Sequence, residues 1–364
     1  MGKLEVEELF HYGKIYRDVV LHVPGRISGS FKVALMPGLS DAHAHPQVID
    51  VGEGGRWKNS YEWIANRKLR VREEDLRGDP ELSSKLTIIA LTLSLLDGVT
   101  MIAITGSLQG NLLALRRLKY HPRVIMLPTI LNKKGWMKLE DVYTFLPDST
   151  RLDGGKISAG IFIHSIGLTD PKTVKEAISL GKGEKIPVAM HLNEGVGETE
   201  VLRKITGNNL SEVVAIHCIE ESEECKRLGL RVVSCPLSNL YLYERTIPQL
   251  EFIDAFGSDW PLVTGTLRRA LSTATSIYKR ELEVLDKATR GGYEVYNINH
   301  ELDISLYDDT LKRIVTGEAH PRTVIVGGQP TVIEGKLDGI DRGEAERALR
   351  ETINEALSLY GVDP

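Results

Sequence analysis

Two histidines one residue apart, His43 and His45, close the segment Met36-Pro37-Gly38-Leu39-Ser40-Asp41-Ala42-His43-Ala44-His45, behind the apolar run Val33-Ala34-Leu35-Met36. On an extended backbone, side chains two residues apart point to the same side. Two imidazoles on one side at the mouth of a strand can grip one divalent metal, of which Zn²⁺ is the usual choice. Taken alone, the pair reads equally well as two polar loop residues, so its meaning depends on the rest of the chain.

The rest of the chain repeats the arrangement. The run Pro187–Met190 leads into His191, Val213–Ile216 into His217, and Phe252–Ser258 into Asp259. Each run has the length and composition of a strand. Each puts its polar residue at the carboxyl end, where a (β/α)₈ barrel gathers its chemistry. Eight such runs can be counted, at about 33–36, 99–105, 122–128, 159–164, 187–191, 213–217, 231–235 and 252–258. Helical segments lie between most of them. The stretch 81–97 stops at Gly98, a C′ glycine. Asp170-Pro171 opens another helix, with Asp at the N-cap and Pro at the first position. Strand and helix in alternation predict an α/β fold with a parallel sheet. Eight repeats in roughly 250 residues predict a TIM barrel.

Taken in order, the motifs resemble those of the metal-dependent amidohydrolase superfamily, in its deaminase and chlorohydrolase branch. Pro37-Gly38-Leu39 through His45 is similar to the first-strand motif. Tyr61-Glu62-Trp63-Ile64 is similar to the following loop, and Leu95-Leu96-Asp97-Gly98-Val99-Thr100 to the entry to strand two. His191-Leu192-Asn193-Glu194 resembles the strand-five motif and Cys235-Pro236-Leu237-Ser238-Asn239 the segment after strand seven. Gly257-Ser258-Asp259 resembles the strand-eight aspartate. Leu285–Thr289 with Gly291-Gly292 resembles a late helix, with Tyr293 where alanine is usual. The likeness spans roughly residues 13–335; the ordered set is specific although no single piece is.

The resemblance implies metal ligands His43, His45, His191 and Asp259 around one divalent metal, Zn²⁺ first and Fe²⁺ second. It implies that a water with its pKa lowered by the metal supplies hydroxide. Asp259 would take that water's proton, Glu194 would shuttle a proton to ring nitrogen and leaving amine, and His217 would orient the water and stabilise the tetrahedral intermediate. His164, ending Ile161-Phe162-Ile163-His164, and Trp260, where relatives have a small residue, are the expected substrate contacts. Each has a plainer alternative: core-edge histidines, a solvated Glu194, Asp259 as a helix N-cap, and His164 in simple packing. Ser238 and Asn239 are expected to brace their loop, and Trp57, Trp63 and Trp260 to lie on loops around the mouth. The histidines at 11, 22, 121, 300 and 320 fit no ligand spacing. Binuclear relatives carry a carboxylated lysine at the end of strand four; here Lys156 lies about a turn too early, which favours a single metal.

With 364 residues, 42% hydrophobic and 26% charged, the chain can bury a large core. It has no run long enough for a transmembrane span, and its acidic amino terminus lacks a signal-peptide core, so a cytoplasmic location is the default expectation. Cys218, Cys225 and Cys235 form no disulfide framework. A net charge of −5 with mixed signs excludes a nucleic-acid-binding stripe. The expected partner is a small-molecule substrate, and a homodimer is the commonest assembly for such an enzyme.

Residues 1–36 with 318–337 are expected to form a small, reduced β-sandwich lacking the long N-terminal strands, 37–317 the barrel, and 338–364 a C-terminal helix. Within these, 323–333 reads as a hairpin about Gly327-Gly328, and 341–360 as an amphipathic helix with Leu349, Ile353, Leu357 and Tyr360 on one face. The function expected is hydrolytic deamination of an aminated heterocycle of purine, pterin or pyrimidine type. The alternatives are hydrolysis of a cyclic amide or imide or of a C–Cl bond at the same site, and a non-catalytic metal-binding barrel.

Overall fold

The computed structural model describes residues 1–55, 57–131, 136–142, 156–207 and 210–362. The first three strands are β1 (Gly2–His11), β2 (Lys14–Val23) and β3 (Gly29–Leu35). They belong to a seven-stranded sheet made by both chain ends. β1 pairs antiparallel with β2 and parallel with β3. The long N-terminal strands expected to be missing are therefore present, ten residues each. An acidic segment forms β1 because its apolar residues alternate: Leu4 and Val6 are buried while Glu5 and Glu7 face water.

Parallel strands follow, in chain order: β4 (Leu39–Ala44), β5 (Val99–Ile104), β6 (Arg123–Met126), β7 (Thr129–Ile130), β8 (Ile157–Ala159), β9 (Ile161–Ile163), β10 (Val188–Leu192), β11 (Val213–His217), β12 (Arg231–Ser234) and β13 (Ala255–Phe256). They pair as β4-β5-β6-β8 and as β7-β9-β10-β11-β12-β13. The pairs β6/β7 and β8/β9 are two runs, each interrupted once, at Leu127-Pro128 and at Gly160. Each run thus hands the ladder from one sheet to the other. Past β13, Ala44 and Asp259 form a parallel bridge, so the last strand meets the first.

One expected boundary is corrected. The apolar run 33–36 is not the strand that carries His43 and His45; its residues sit in β3, which pairs with β1 and with the later strand at 304–307. His43 rides on β4, with His45 just beyond its end, and the residues Leu39–Ala44 are all buried although half are polar. Bonds from distant parts of the chain satisfy much of that polarity. Ser40 Oγ donates to Ala288 O and accepts from Gly292 N, and Asp41 Oδ1 accepts from Ser258 N at 2.9 Å. A hydrophobic reading misses a strand whose serine and aspartate are bonded from other elements.

The helices start where expected. Asp79 caps Pro80–Leu96 by accepting from Leu82 N, and Gly98 follows the helix at φ +84°. Asp170 caps Pro171–Glu184 by accepting from Thr173 N.

The chain then returns to the end sheet with β14 (Ile304–Tyr307), β15 (Thr323–Val326), β16 (Gln329–Ile333) and β17 (Lys336–Leu337), giving the order β17-β16-β15-β14-β3-β1-β2. The sheet thus recruits 304–307 ahead of the expected 318. The hairpin turn Gly327-Gly328 takes positive φ at both positions, as a two-residue turn with right-handed twist requires. The final helix, Arg342–Tyr360, opens with a capping box between Asp341 and Glu344 and packs with the helix Pro80–Leu96 in one apolar cluster. Its buried line is Ala345, Thr352 and Ala356, small residues that allow close approach. Leu349, Ile353, Leu357 and Tyr360, expected to form the contact, flank it half-buried.

Candidate metal centre

Four side chains converge at the carboxyl ends of the parallel strands. His43 comes from β4, His45 from just beyond it, His191 from β10, and Asp259 from the turn after β13. His43 Nε2 and His191 Nε2 are 3.2 Å apart, and His45 Nε2 and His191 Nε2 are 3.4 Å apart. Asp259 Oδ1 lies 3.4 Å from His43 Nε2 and 3.6 Å from His45 Nε2. These spacings fit a shared ion. Zinc–ligand distances of about 2.0–2.2 Å put neighbouring tetrahedral corners roughly 3.3–3.6 Å apart. All four ligand atoms lie within 4.8 Å of one another. Neutral imidazoles with their Nε2 atoms turned to one point, beside a carboxylate oxygen, form a donor set suited to a borderline divalent cation.

The backbone holds this geometry tightly. His45 N donates to Asp259 O and Asp259 N to His43 O at 2.9 Å, lacing the first strand to the last. Asp41, not singled out in the sequence, ties the same two strands through Ser258 N and His43 N. Its burial pushes the carboxyl up to about 7. Asp259, His217 and Asn193 all have positive φ, +62°, +75° and +55°. Side-chain-bearing residues in that region are strained, and such strain gathers at functional sites.

Burial shapes the electrostatics. It lowers His43 to about 4 and takes His191 well below the ordinary imidazole value, so both are in the neutral, ligating form near pH 7. Burial alone would raise Asp259, but the His43 hydrogen bond and the neighbouring imidazoles hold its carboxyl well below the usual range.

Glu194 and His217 stand beside the four. His217 Nε2 is 3.8 Å from Glu194 Oε1 and 4.0 Å from Asp259 Oδ2. Burial raises the Glu194 carboxyl above its ordinary value, against the pull of His217 and of the hydroxyl of Tyr243, which donates to Glu194 Oε1 at 2.7 Å. On the other flank of His217, Nδ1 bonds Asn239 Oδ1 at 2.7 Å. Asn239 Nδ2 donates to Thr246 Oγ1 at 3.1 Å, which fixes the amide orientation. Asn239 therefore holds His217 itself, rather than only its own loop. Asn239 and Tyr243 lie four residues apart on the helix Pro236–Tyr243 and so share a face. That Asn239 would reach His217 and Tyr243 would reach Glu194 was not legible locally. The only signal is the i,i+4 spacing.

Asn193 anchors the turn that carries Glu194. Its side chain donates to Thr199 Oγ1 at 2.7 Å and accepts from Glu198 N, while Glu198 Oε2 accepts from Asn193 N at 3.0 Å.

A cleft opens over the cluster. Its walls include His45, Trp63, Arg67, Glu73, His164, Glu194 and Trp260. Both expected substrate contacts, His164 and Trp260, therefore line it. The rings of Trp63 and Trp260 are 5.6 Å apart, and the Arg67 guanidinium sits 4.3 Å over Trp63. Trp63 lies on a short helix, Ser60–Asn66, not on a loop as expected. Glu73, in this wall, and Arg77 behind it, both passed over in the sequence, form a largely buried pair at 2.7 Å. Burial would raise Glu73, but Arg77 and His45 hold it well below the ordinary carboxylate value. Lys156 bonds Gln329 on the end sheet at 2.9 Å, in keeping with a strand four that supplies no lysine ligand. Of the histidines read as structural, His320 bonds Asp97 and His11 bonds Met36 O.

No family model matches the chain. It is 23% identical over 315 residues to a 5′-deoxyadenosine deaminase of Methanocaldococcus jannaschii, covering 75% of this chain and 72% of that protein. Its fold matches an adenosine deaminase of Xanthomonas campestris with bound zinc at a TM-score of 0.78, 16% identity and 98% of each chain. It matches an atrazine chlorohydrolase of Arthrobacter aurescens in complex with zinc, also at 0.78, with 14% identity over 98% of this chain and 100% of the other. An amidohydrolase of Brucella melitensis matches at 0.75 and 17% identity. These likenesses agree with the motifs: the chain resembles the deaminase and chlorohydrolase branch of the metal-dependent amidohydrolases.

Proposed function

We propose that the chain is a (β/α)₈-barrel hydrolase that uses one divalent metal, zinc first, to deaminate an aminated heterocycle of the purine nucleoside type. The observation that carries the reading is the convergence of three imidazole nitrogens and one carboxylate oxygen at 3.2–3.6 Å, with a buried acid beside them. His43, His45, His191 and Asp259 would hold the ion. When bound, it lowers the pKa of a water toward neutrality. Asp259, kept ionised by its imidazole neighbours, accepts that water's proton. Glu194, whose carboxyl burial raises, would donate to the ring nitrogen beside the attacked carbon, take up the proton left on the added oxygen and pass it to the leaving amine, and regain its own proton from Asp259. His217 presents Nε2 toward both carboxylates, because Asn239 occupies its Nδ1. Trp260 and Trp63 together form one wall for a flat ring, and His164 faces it from the residue after β9. Two similar proteins named as deaminases of adenosine-type compounds support the purine class.

Replacement of chlorine on a triazine-type ring is the second reading, favoured by the chlorohydrolase likeness. The two are separated by one screen of protein with measured metal content. Ammonia released from aminated purines supports deamination; chloride released from a chlorinated ring, with no ammonia from any amine, supports the second. Glu194→Gln should cut turnover about 10²–10⁴-fold while keeping its metal. Unchanged turnover would remove Glu194 from the mechanism.

A further inference from the structure

His45 turns Nε2 toward the other three ligands, which leaves Nδ1 as its second ring nitrogen. That Nδ1 is buried and has no hydrogen-bond partner among the described residues. An imidazole that binds a metal through one nitrogen carries its proton on the other, and that N–H needs an acceptor when it is out of water. Glu73 Oε1 lies 3.9 Å from His45 Nδ1. The Glu73 side chain is 14% exposed and fixed from behind. Arg77 Nη2 and Nε donate to the same Oε1 at 2.7 and 3.1 Å, and Arg77 itself stacks 3.9 Å over the ring of Trp136. A carboxylate clamped in this way is held ionised beside the unpartnered nitrogen.

We propose that Glu73 is the positioning carboxylate for His45: it accepts the Nδ1 proton, fixes the tautomer that offers Nε2, and so strengthens the hold on the metal. The inference rests on the metal reading above. It concerns the hold on the ion rather than any contact with substrate. Closing the gap takes about an ångström of side-chain movement, to reach the roughly 2.9 Å of an N–H···O bond. Partners of this outer kind are typically worth 10–100-fold in metal affinity.

The test is competition for Zn²⁺ between the protein and a chromophoric chelator, without substrate, in wild type, Glu73→Gln and His45→Ala. Glu73→Gln keeps the shape and takes away the charge. It should bind zinc about 10–100-fold more weakly than wild type, with the melting temperature of the metal-free form unchanged. His45→Ala, which removes the ligand itself, should lose more. Equal zinc affinity in Glu73→Gln and wild type overturns the inference, and a raised KM in that case assigns Glu73 to the substrate. A metal-free Glu73→Gln that melts well below wild type also overturns it, since the loss is then structural. A wild-type chain that takes up no metal overturns the metal reading and this inference together.

Discussion

Asn239 Oδ1 and His217 Nδ1 are joined by a 2.7 Å hydrogen bond at the end of β11. Because Asn239 Nδ2 is committed to Thr246, its oxygen must accept, and His217 must carry its proton on Nδ1. The ring therefore turns Nε2 toward Glu194 and Asp259. Asn239→Leu removes the acceptor and frees the tautomer. The expected outcome is a kcat lower by about 10–100-fold, the range for losing an orienting partner, with KM moved much less. Steady-state kinetics with an active substrate checks it. A KM effect with unchanged kcat would place Asn239 in binding instead.

Tyr243 tunes the proton shuttle. Its hydroxyl donates to Glu194 Oε1 and so stabilises the ionised carboxylate, against burial that favours the neutral acid. Tyr243→Phe takes away this bond without touching a proposed catalytic group. The Glu194 value should rise further, and the limb of the kcat–pH profile that reports it should move to higher pH. Movement to lower pH would mean that the bond favours the protonated form, contrary to its geometry.

The site was legible because its ligands are separated in sequence by strand-sized apolar runs, each ending in a coordinating residue. His191 after Val188-Ala189-Met190 and His217 after Val213–Ile216 could be placed from pattern alone. β4 could not, because its burial is bought with hydrogen bonds from Ala288, Gly292 and Ser258, residues more than 200 positions away. β1 was passed over for a different reason: its glutamates read as an acidic terminus, although they alternate with Leu4 and Val6. The contact of Asn239 with His217, and Tyr243 and Glu73 altogether, escaped because such a partner is defined by what it touches. No local periodicity records that.

Asp97 predicts where the fold is most sensitive to one carboxylate. It is buried at the C-cap of the helix Pro80–Leu96 and bonds Thr266, Arg268 at 3.0 Å, His320 at 2.9 Å and Arg342. It thus links three helices. Asp97→Ala leaves two guanidinium groups partly buried without their anion, a loss of about 3–5 kcal/mol. Burial would raise Asp97, but His320, Arg342 and Arg268 outweigh it and the folded value is depressed. A depressed carboxylate contributes stability that is complete above the unfolded value of about 3.9 and is lost as pH falls through the folded one. Urea unfolding from pH 6 downward should show the wild type losing this contribution below about pH 4, with that part of the slope missing in the variant. Equal slopes would mean that Asp97 is not depressed.

Trp260 ties ring recognition to the metal cluster through the chain itself. It follows Asp259 directly, and its backbone N donates to Ser258 O at 2.8 Å, so the indole direction is set by the turn that aims the carboxylate. The indole is buried against Trp63, whose Nε1 is bound to Val51 O at 3.1 Å, and the two rings form one wall of the cavity. Trp260→Ala removes half of that wall and leaves Asp259 in place. An aromatic contact is worth about 0.5–1.5 kcal/mol beyond the area it buries, so KM for a flat substrate should rise about tenfold or more. The effect on kcat should be smaller, and substrates with bulkier ring substituents should gain relative to the parent. Trp260→Phe should fall between. If kcat drops and KM stays, Trp260 acts on the reaction through the Asp259 turn, and the flat-ring pocket would have to be sought elsewhere along the cavity wall.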